Sequence, residues 1–600
     1  MPSFDNLATM FFTQARRFGE RPRYRHKRGG RWQEVSWTTC AERVQAMARG
    51  LARLGLQPGE RVALLAATRA EWMEFDLAVL AAGGVTVPIY PSNLADECGY
   101  IIWNSGATFV CVENARQLSK LREAQQNGFE LDGRAHHVTV SQVISLEETG
   151  DASVVTLAQL MERGCSVPVS DLEQRMGRIG REHLATLVYT SGTTGPPKGV
   201  IQSHGNHLAA VESVGQLGMI EEGNVDFFFL PLAHSFARLI EYLGLYAGTV
   251  TAFAQSIDTL MQDVGEARPH LIPSVPRIYE KIFSRVQAGR EESSGLKRRL
   301  LDWAFGVARR RSQNDRQSVR SSPWLGLQAA LADRLVLSKI RGVLGGRTKF
   351  LISGGAPLAA EIAEFFHAAG LLILEGYGLT ETTPILTVNR ADRFKFGTVG
   401  LPLPGVTLKI APDGEILGKG ANIALGYYNC PEATREAWDA DGWFHTGDIG
   451  EIDGDGFLRI TDRKKDLIKT SGGKYVAPQN LENLVKTQPH VSQAVVIGDR
   501  RKYCVALVTL DYDEVQAWAA KERLQLPADR GEWATDARVC NLIAAELAAV
   551  NGRLASYESI KYHRILPHDF SIEGGELTPS LKVKRKVITE KYRDLIEQMY

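Results

Sequence analysis

Hydrophobic positions in the first half of the chain fall into short continuous runs separated by longer stretches with helical periodicity. RVALLAA (61–67) and VTVPIY (85–90) are typical of buried strands, and EWMEFDLAVLAAG (71–83) predicts the helix between them. Further strand-like runs are ATFVCVE (107–113), TLVYT (186–190), KFLISGG (349–355) and LLILEGYG (371–378). Strands that alternate with helices predict an α/β fold with mostly parallel sheets covered by helices on both faces.

Glycine-rich segments follow several of these predicted strands, after residues 190, 353 and 375. Ligands of open α/β sheets bind at the carboxyl ends of the strands. We therefore expect the three segments to converge on one site.

The pattern changes between residues 286 and 325, where basic triplets flank a helical stripe of apolar residues at 296, 300, 301, 304 and 307. This segment is either a basic amphipathic helix that contacts anionic lipid or a helical insertion that packs its stripe on its own domain. Charge runs are usually solvated faces, which favours the second interpretation.

A second change lies near Asp462 and predicts two domains. Residues 1–461 form the large N-terminal domain, and residues 462–600 form a small α+β domain. QAVVIGD and YCVALVTL predict strands in the small domain, with helices around 513–522 and 537–550. A chain of 600 residues is also too long for a single core.

Composition narrows the class of protein. A hydrophobic share of 44% and a charged share of 23% are ordinary for a globular protein, and 70 Lys and Arg balance 69 Asp and Glu. That balance argues against a nucleic-acid partner. The seven cysteines are scattered without a CxxC pair, which argues against a zinc site or a disulfide framework and for a cytoplasmic protein.

Targeting signals are not apparent in the sequence. The first residues, MPSFDNLATMFF, do not resemble a signal peptide, and no apolar run approaches the roughly 20 residues that cross a bilayer. Peripheral contact with the inner face of the membrane stays open.

The segment TSGTTGPPKGV (190–200) directly follows the apolar run LATLVY. Unhindered backbone N–H groups, hydroxyl donors and a cation together suit a bound phosphate. Ser191, Thr193, Thr194, Lys198 and the glycines at 192 and 195 supply all three. The segment is not a Walker A loop, because Gly199 follows the lysine where Ser or Thr is required. The alternative is a glycine-rich surface loop that binds nothing.

Four motifs occur in order along the chain: YTSGTTGPPKGV, GYGLTE (376–381), GWFHTGDIG (442–450) and DRKKDLIKTSGGKYVAP (462–478). In this order and spacing they resemble the adenylate-forming superfamily of acyl-CoA synthetases, luciferases and peptide-synthetase adenylation domains. PLAHSFARL (231–239), LGGRTKFLISGGAPL (344–358) and GELTPSLKVKRKVI (575–588) look most like long-chain fatty acyl-CoA synthetases. The resemblance covers nearly the whole chain.

The resemblance implies an acid–thiol ligase that uses ATP, Mg²⁺ and coenzyme A. A fatty acid of medium to long chain, bound with ATP by residues 1–461, would attack the α-phosphate to give an acyl-adenylate and pyrophosphate, and CoA would then displace AMP. The same motifs also fit a ligase that delivers to a carrier protein, an aryl or short-chain acid–CoA ligase, or a luciferase-like oxygenase. An inactive nucleotide-binding scaffold is the alternative outside enzymes.

The resemblance also implies roles for individual residues. Glu381 would bind Mg²⁺ and act in catalysis with Thr190, Tyr377 would stack on adenine, and Asp448 and Arg463 would contact the ribose or phosphate. The remaining nucleotide-binding positions are Ser191, Gly192, Thr193, Thr194, Gly195, Lys198, Gly355, Ala356, Glu375, Gly376, Gly378 and Thr380. For Tyr377 the alternative is a core aromatic, against which its flanking glycines at a strand end argue. For Asp448 the alternative is a turn residue, which is the better interpretation without the resemblance.

Lys582 falls where the family has its catalytic lysine, which neutralises charge developing on the α-phosphate. Lys584, Arg585 and Lys586 follow closely, so an error of register is an alternative. His234 would stand at the entrance of the acyl tunnel, or be a core histidine. Ala237 replaces a glutamate frequent in relatives, which leaves the shape of the tunnel open.

Two reactions at one site would require the small domain to rotate. Lys465 is the predicted pivot, and Gly472 and Gly473 would let the pantetheine arm of CoA pass closely.

Overall fold

Short polar side chains mark where many helices of this chain begin. Asn6 accepts a hydrogen bond from the backbone N–H of Thr9 at 2.8 Å, and Ser36, Asn114 and Asp511 cap later helices in the same way. Such caps satisfy N–H groups that have no partner inside the helix. The computed structural model describes residues 3–190, 196–317, 319–471, 474–578 and 582–600.

The helices of the described residues are α1 (Leu7–Phe18), α2 (Trp37–Arg53), α3 (Ala70–Ala81), α4 (Ala95–Ser105), α5 (Ala115–Asn127), α6 (Leu157–Gly164), α7 (Val169–Gly177), α8 (His204–Gly215), α9 (Ser235–Ala247), α10 (Leu260–Ala267), α11 (Pro276–Glu291), α12 (Gly295–Arg316), α13 (Pro323–Ala332), α14 (Ser338–Val343), α15 (Ala360–Ala368), α16 (Pro431–Ala437), α17 (Pro478–Lys486), α18 (Tyr512–Lys521), α19 (Ala537–Asn551), α20 (Arg585–Lys591) and α21 (Arg593–Glu597).

The strands are β1 (Pro22–Arg28), β2 (Arg31–Ser36), β3 (Arg61–Leu65), β4 (Val85–Ile89), β5 (Phe109–Val112), β6 (Phe129–Leu131), β7 (Arg134–His136), β8 (Gln142–Ser145), β9 (Val155–Thr156), β10 (Leu184–Thr190), β11 (Lys198–Ser203), β12 (Val225–Phe228), β13 (Val250–Phe253), β14 (Leu271–Ser274), β15 (Phe350–Ser353), β16 (Leu372–Tyr377), β17 (Thr387–Val388), β18 (Leu401–Pro402), β19 (Thr407–Ile410), β20 (Glu415–Lys419), β21 (Phe444–Ile452), β22 (Leu458–Arg463), β23 (Ile468–Lys469), β24 (Tyr475–Val476), β25 (Val491–Ile497), β26 (Cys504–Leu510) and β27 (Ile560–Ile565).

Two large sheets organise the first part of the chain. One has the order β18-β17-β16-β15-β14-β12-β13-β1-β2 and is parallel from β16 through β1; the other has the order β11-β10-β4-β3-β5-β8-β9 and is parallel from β10 through β9. The main core combines α1, α2, α3, α8 and α9 with residues of both sheets. The sheets are thus mostly parallel and covered by helices, as predicted.

Smaller sheets follow in the second half. Strands β19 to β22 form an antiparallel sheet in sequence order, and β25, β26 and β27 form the sheet of the C-terminal part. Helices α17 and α19 pack on one face of that last sheet, so this part is α+β. Strand β22 runs through Asp462, where the sequence placed the domain boundary, and ends at Arg463.

The strands and helices predicted from the periodicity are all present, and their ends differ from the predicted ones by at most two residues. The segment 286–325 forms the end of α11, then α12 and the start of α13. Ala304 and Val307 of its apolar stripe are fully buried against α13, whereas Leu296 is exposed. Within the described ranges, no helix combines the length and apolar content that a membrane crossing requires.

Candidate active site

A cavity lies at the carboxyl ends of β15 and β16, which are parallel neighbours in the larger sheet. Its empty volume is about 890 Å³, including the open space at its mouth. The predicted site residues that line it are His234, Gly355, Gly376, Tyr377, Gly378, Thr380 and Lys582. The glycine-rich segments after 353 and 375 therefore meet at one site. Most of the segment after Thr190 lies outside the described residues.

Close approach of the backbone explains two of the glycines. A Cβ atom at Gly378 would lie 1.9 Å from the carbonyl oxygen of Pro384, so no other residue fits there. Gly355 has φ +83°, a conformation that disfavours other residues, and open space lies beside it. Gly378 lets the chain fold back at the end of β16, and Gly355 leaves part of the cavity wall without a side chain.

One end of the cavity is apolar. Its wall is built from α8, α9, the residues just after α8, and the sheet face that they cover: Val214, Met219, Ile220, Leu239, Ile240, Leu243, Phe350, Ile352, Leu374, Ile385 and Val388. At the other end stand His234, Thr380 and Lys582. A ligand with a polar head and an apolar tail fits this division.

His234 enters the lining of the cavity as the N-cap of α9. Its Nδ1 accepts a hydrogen bond from the backbone N–H of Phe236 at 3.1 Å, which leaves the ring proton on Nε2. Burial, together with the charge of Lys582, lowers the pKa of His234 to about 3. The ring is therefore neutral at physiological pH.

Lys582 reaches the cavity from the C-terminal part of the chain. Its backbone N–H donates to Oγ1 of Thr578 at 3.0 Å, and the Thr578 N–H donates to the Lys582 carbonyl at 2.8 Å. Leu577 and Val583 form the next bridge of the same hairpin. This hairpin brings Lys582, rather than Lys584 or Lys586, into the lining of the cavity.

The surroundings of Lys582 shift its titration. Although the residue as a whole is exposed, desolvation of its amine and the nearby charge of Arg463 lower its pKa to about 8, while Asp448 and Glu381 oppose the shift. Two cations and two carboxylates therefore share one electrostatic environment. An anionic ligand would favour the charged amine, since an opposite charge stabilises it.

Asp448 and Arg463 are cross-strand partners on β21 and β22. Nε of Arg463 lies 3.2 Å from Oδ1 of Asp448, and the hydroxyl of Tyr377 donates to Oδ2 at 2.7 Å. Burial raises the pKa of Asp448, although the charge of Arg463 acts against the rise. Tyr377 is both a cavity residue and a member of the core cluster with Leu386 and Phe444.

Glu381 occupies a short 3-10 turn, Thr380–Thr382, beyond the end of β16. Its Oε1 accepts a hydrogen bond from the hydroxyl of Tyr427 at 2.7 Å. Nζ of Lys198 lies 5.1 Å from the centre of the Tyr427 ring. Tyr427 therefore links the start of β11 to Glu381, and Gln202 strengthens this link by donating to the Thr380 carbonyl at 2.6 Å.

The donor set around Glu381 fits a hard divalent cation that brings most of its ligands with it. In the described part of the chain, no group of three or more His, Cys, Asp or Glu side chains could hold a metal by itself. One buried carboxylate, that of Glu381, suits Mg²⁺, which keeps several waters and binds phosphate oxygens.

Several predicted residues do not line the cavity. Thr190 ends β10, with its hydroxyl 3.5 Å from the Lys198 carbonyl; Ala356 is exposed after β15. Glu375 is a buried residue of β16, and its burial raises its pKa to about 8. Ser191, Gly192, Thr193, Thr194, Gly195, Gly472 and Gly473 lie outside the described residues.

The predicted pivot, Lys465, is exposed in a tight turn after β22. The turn is closed by the N–H of Leu467, which donates to the Arg463 carbonyl at 3.0 Å, and the N–H of Lys464 donates to the Gly447 carbonyl at 2.8 Å. The ammonium of Lys464 also pairs with Asp413 and Glu415. These contacts hold the strand side of the turn to the small antiparallel sheet.

The sequence analysis missed Tyr427 and the apolar wall. Tyr427 is about 230 residues from Lys198 and 46 from Glu381, and no local pattern marks it. The wall residues are ordinary apolar positions of helices and strands, so only their arrangement in space distinguishes them from the core.

Comparison with known sequences places two family models on the chain. The model described as AMP-binding enzyme matches residues 11–428, and the model of the AMP-binding enzyme C-terminal domain matches residues 465–600. A long-chain-fatty-acid–CoA ligase (FadD15) of Mycobacterium bovis is 37% identical over 99% of this chain and 97% of its own. Another long-chain-fatty-acid–CoA ligase (ACSBG2), from Xenopus laevis, is 32% identical over 98% and 83%.

Comparison with solved structures gives the same architecture. The adenylation domain of a carboxylate reductase from Mycobacterium chelonae superposes with a TM-score of 0.78 at 22% identity, covering 100% of this chain and 92% of the other. An anthranilate CoA ligase in complex with anthranoyl-AMP has a TM-score of 0.73 at 19% identity, with coverage of 100% and 99%. The fold predicted from the sequence is therefore confirmed.

Proposed function

Because this chain belongs to the AMP-binding enzyme family, we propose that it is an ATP-dependent ligase joining a long-chain fatty acid to coenzyme A. The products are acyl-CoA, AMP and pyrophosphate. The observation that carries the proposal is the single cavity in which Lys582, His234 and Thr380 stand at one end and an apolar wall at the other.

In the first half-reaction, a carboxylate oxygen of the acid bonds to the α-phosphorus of ATP, and the bond from that phosphorus to pyrophosphate breaks. Lys582 neutralises charge on the α-phosphate and on the attacking carboxylate. Such a reaction depends mainly on positioning and on charge stabilisation. Neutral His234, with its proton on Nε2, donates toward the carboxylate at the junction with the apolar wall.

The nucleotide is oriented by the side of the site that carries Asp448, Arg463 and Tyr377. The Asp448 carboxylate accepts hydrogen bonds from the ribose, and Arg463 and Tyr377 hold that carboxylate in place. The ring of Tyr377 and the open backbone at Gly355 provide a slot for adenine. Lys198 and Thr190, with the segment between them, face the β- and γ-phosphates.

Glu381 would hold Mg²⁺, which when bound supplies charge neutralisation at the phosphates. Tyr427 fixes the orientation of the Glu381 carboxylate through its hydrogen bond. Lys198, over the ring of the same Tyr427, adds a positive charge on this side of the site.

In the second half-reaction, the sulfur of CoA bonds to the acyl carbon, AMP leaves with the oxygen of the former carboxylate, and the thiol proton passes to solvent. We assign this step to a rotation of residues 462–600 about Lys465 that withdraws Lys582 from the cavity. The segment around Gly472 and Gly473 then faces the pantetheine arm.

The experiment that tests the proposal measures pyrophosphate release with acids from acetate to palmitate and one aryl acid, with and without CoA. We expect turnover that requires CoA and rises with chain length. A maximum at the aryl acid or at acetate would replace the proposed substrate class. Adenylate formation without any effect of CoA would indicate delivery to a carrier protein.

The location that we propose is the cytoplasm, with peripheral contact at the inner face of the membrane. All seven cysteines are free thiols, and Cys40, Cys98, Cys111 and Cys504 are buried as such. Free thiols are typical of a reducing compartment.

A further inference from the structure

Helix α13 carries a row of large apolar side chains on its outer side. Trp324 is 66% exposed, Leu327 62%, Leu331 50% and Leu335 39%. We call these four residues the α13 ridge. Their spacing of three, four and four places them on one face of the helix and its continuation through the π-helical turn Asp333–Leu337. An isolated exposed leucine needs no explanation, but a contiguous row does.

The opposite face of the same helix is firmly anchored. Ala329, Ala332, Val336 and Leu337 are buried together with Ala304, Val307 and Ala308 of α12. The buried side consists largely of small residues and the exposed side of large ones. The ridge therefore takes no part in the buried cluster between α12 and α13. A rotation of α13 about its axis that covered the ridge would expose that cluster.

The ridge lies in the most basic part of the chain. Residues 295–347 contain twelve Lys and Arg but only three Asp and no Glu, whereas the whole protein has a net charge of +1. Each of the three aspartates already pairs with an arginine: Asp302 with Arg290 and Arg298, Asp315 with Arg311, and Asp333 with Arg341.

Three exposed cations stand next to the ridge in the sequence. Arg320 lies three residues before the start of α13, Arg334 is adjacent to Leu335, and Lys339 follows one turn later. An apolar face bordered by cations matches a bilayer surface, where apolar side chains enter the acyl boundary and cations meet anionic headgroups.

We infer that the α13 ridge, with Arg320, Arg334 and Lys339, docks the protein on an anionic lipid bilayer. A second copy of the chain is a poorer occupant, because a two-fold interface would bring two patches of the same positive charge together. This surface differs from the stripe on α12 that the sequence pattern emphasised, since the centre of that stripe is buried.

The position of the ridge leaves the cavity free. Helix α12 packs on α15, whose Ile362, Ala363 and Phe366 cover one face of the larger sheet. The cavity is on the other face, against α8 and α9. Docking through α13 therefore recruits the enzyme to a surface where apolar acids concentrate and does not obstruct the cavity.

The test is flotation of the full-length protein with two kinds of vesicles, phosphatidylcholine alone and phosphatidylcholine mixed with phosphatidylglycerol. We expect binding to the mixed vesicles that weakens strongly in about 1 M salt, because the Debye length then shrinks to roughly 3 Å. The double variant Leu327→Asp/Leu331→Asp should bind those vesicles on the order of tenfold or more weakly. The matched control Leu94→Asp/Val169→Asp changes two other exposed apolar residues and should bind like the wild type.

A second pair of variants, which reverse charges, separates the contribution of the cations from that of the apolar side chains. Arg334→Glu/Lys339→Glu should lose binding to the anionic vesicles on the order of tenfold or more, since each cation contributes separately at such a surface. Arg116→Glu/Arg163→Glu reverses the same number of exposed charges elsewhere and should keep it.

Three results would overturn the inference. One is equal binding by the ridge double variant and its control. Another is binding by the wild type that ignores the anionic lipid. A third is a wild-type dimer in sedimentation that the ridge variant dissociates, with no vesicle binding by either. Pyrophosphate release without vesicles should be unchanged in all four variants, so that a failure of docking is distinguished from a failure of the proposed reaction.

Discussion

Lys582 illustrates how a single residue depends on its neighbours. A lysine on a solvated strand would titrate far above physiological pH, but in this site desolvation and Arg463 lower its pKa to about 8. The sequence offers three other basic residues within four positions, and the hairpin at Thr578 decides which one enters the cavity. Its geometry favours Lys582 as the group that acts on the α-phosphate.

Replacement of Lys582 tests this choice of residue. Lys582→Ala should slow adenylate formation by about 10²–10³-fold, the usual effect of removing one charge-stabilising donor. Thioester formation from preformed acyl-adenylate should change little, because Lys582 is withdrawn in that step. Single-turnover assays of both half-reactions measure the difference.

Lys584→Ala and Lys586→Ala are the matched controls for Lys582→Ala. Both should keep adenylation within a few-fold of the wild type, since neither residue lines the cavity. Loss of adenylation in either control, with activity kept in Lys582→Ala, would show that the register is wrong.

The pH dependence of adenylation follows from the same pKa. The ammonium form of Lys582 is the active one, and its pKa lies below the usual value, so kcat/KM should fall as the pH rises through about 8. Lys582→Arg, whose charge persists at high pH, should remove this alkaline fall. His234 adds no transition near neutrality, because its pKa is held at about 3. A profile that stays flat to pH 10 in the wild type would contradict the assignment.

At the scale of elements, a buried arginine joins the helix that presents His234 to the sheet that leads to the phosphate segment. Arg238 on α9 lies 2.8 Å from Oδ1 of Asp76 on α3 and also donates to the hydroxyl of Thr186 on β10. Tyr242 completes the group by donating to Oδ2 of Asp76 at 2.7 Å. Both charged side chains are almost fully buried.

Removal of one partner from the buried group of Arg238, Asp76 and Tyr242 should destabilise the fold. Arg238→Met leaves the Asp76 carboxylate buried without its cation, which should lower the free energy of unfolding by about 3–5 kcal/mol. Arg238→Met/Asp76→Leu should recover much of that loss. Denaturant unfolding monitored by tryptophan fluorescence measures both variants.

Arg459→Met is the surface comparison for Arg238→Met. It breaks an exposed pair with Glu451 and should cost less than about 1 kcal/mol. A cost for Arg238→Met as small as that of Arg459→Met would mean that the buried group does not stabilise the fold.

At the scale of the whole molecule, few described polar contacts join the part of the chain after Lys465 to the rest. Asn480 donates to the Thr461 carbonyl at 3.1 Å, Arg277 donates to Ser492 at 3.1 Å, and Arg553 lies 3.5 Å from Glu361. These are largely exposed side chains, and such contacts contribute little each. The arrangement suits a C-terminal part that changes its position between two half-reactions.

Lys465→Pro tests that movement. A proline in the exposed turn after β22 restricts its backbone, so thioester formation should fall by on the order of tenfold or more while adenylation, which uses the present arrangement, falls much less. Lys465→Ala keeps the freedom of the backbone and should leave both half-reactions near the wild-type rate. Equal losses of both half-reactions in Lys465→Pro would contradict a pivot at this position.

Much of the fold was predictable because its signals are local. The alternation of apolar runs with helical stretches reflects side chains that must face a core, and it identified β3, α3, β4 and β16 to within two residues. The residues proposed to bind the nucleotide were accessible from the sequence for a related reason. Glycines at strand ends, and Asp448 and Arg463 on adjacent strands, lie in short motifs that the sequence displays directly.

The remaining features could not be read from the sequence because they depend on residues far apart in the chain. The contact of Tyr427 with Glu381 and Lys198, and the apolar wall formed by α8, α9 and the sheet, arise only when the elements pack. The same is true of α12 and α13, where the pattern of apolar residues was visible but not which of them would be covered.

The sequence by itself determined the order of elements, the two-part organisation and the residues able to carry the chemistry, because periodicity and motif spacing are properties of neighbouring residues. Tertiary structure alone decided that Lys582 and His234 line one cavity, that Ala304 and Val307 are buried, and that the α13 ridge is left outside. Burial is a property of the packed molecule, since a side chain is removed from water only by residues that the chain brings back to it from elsewhere.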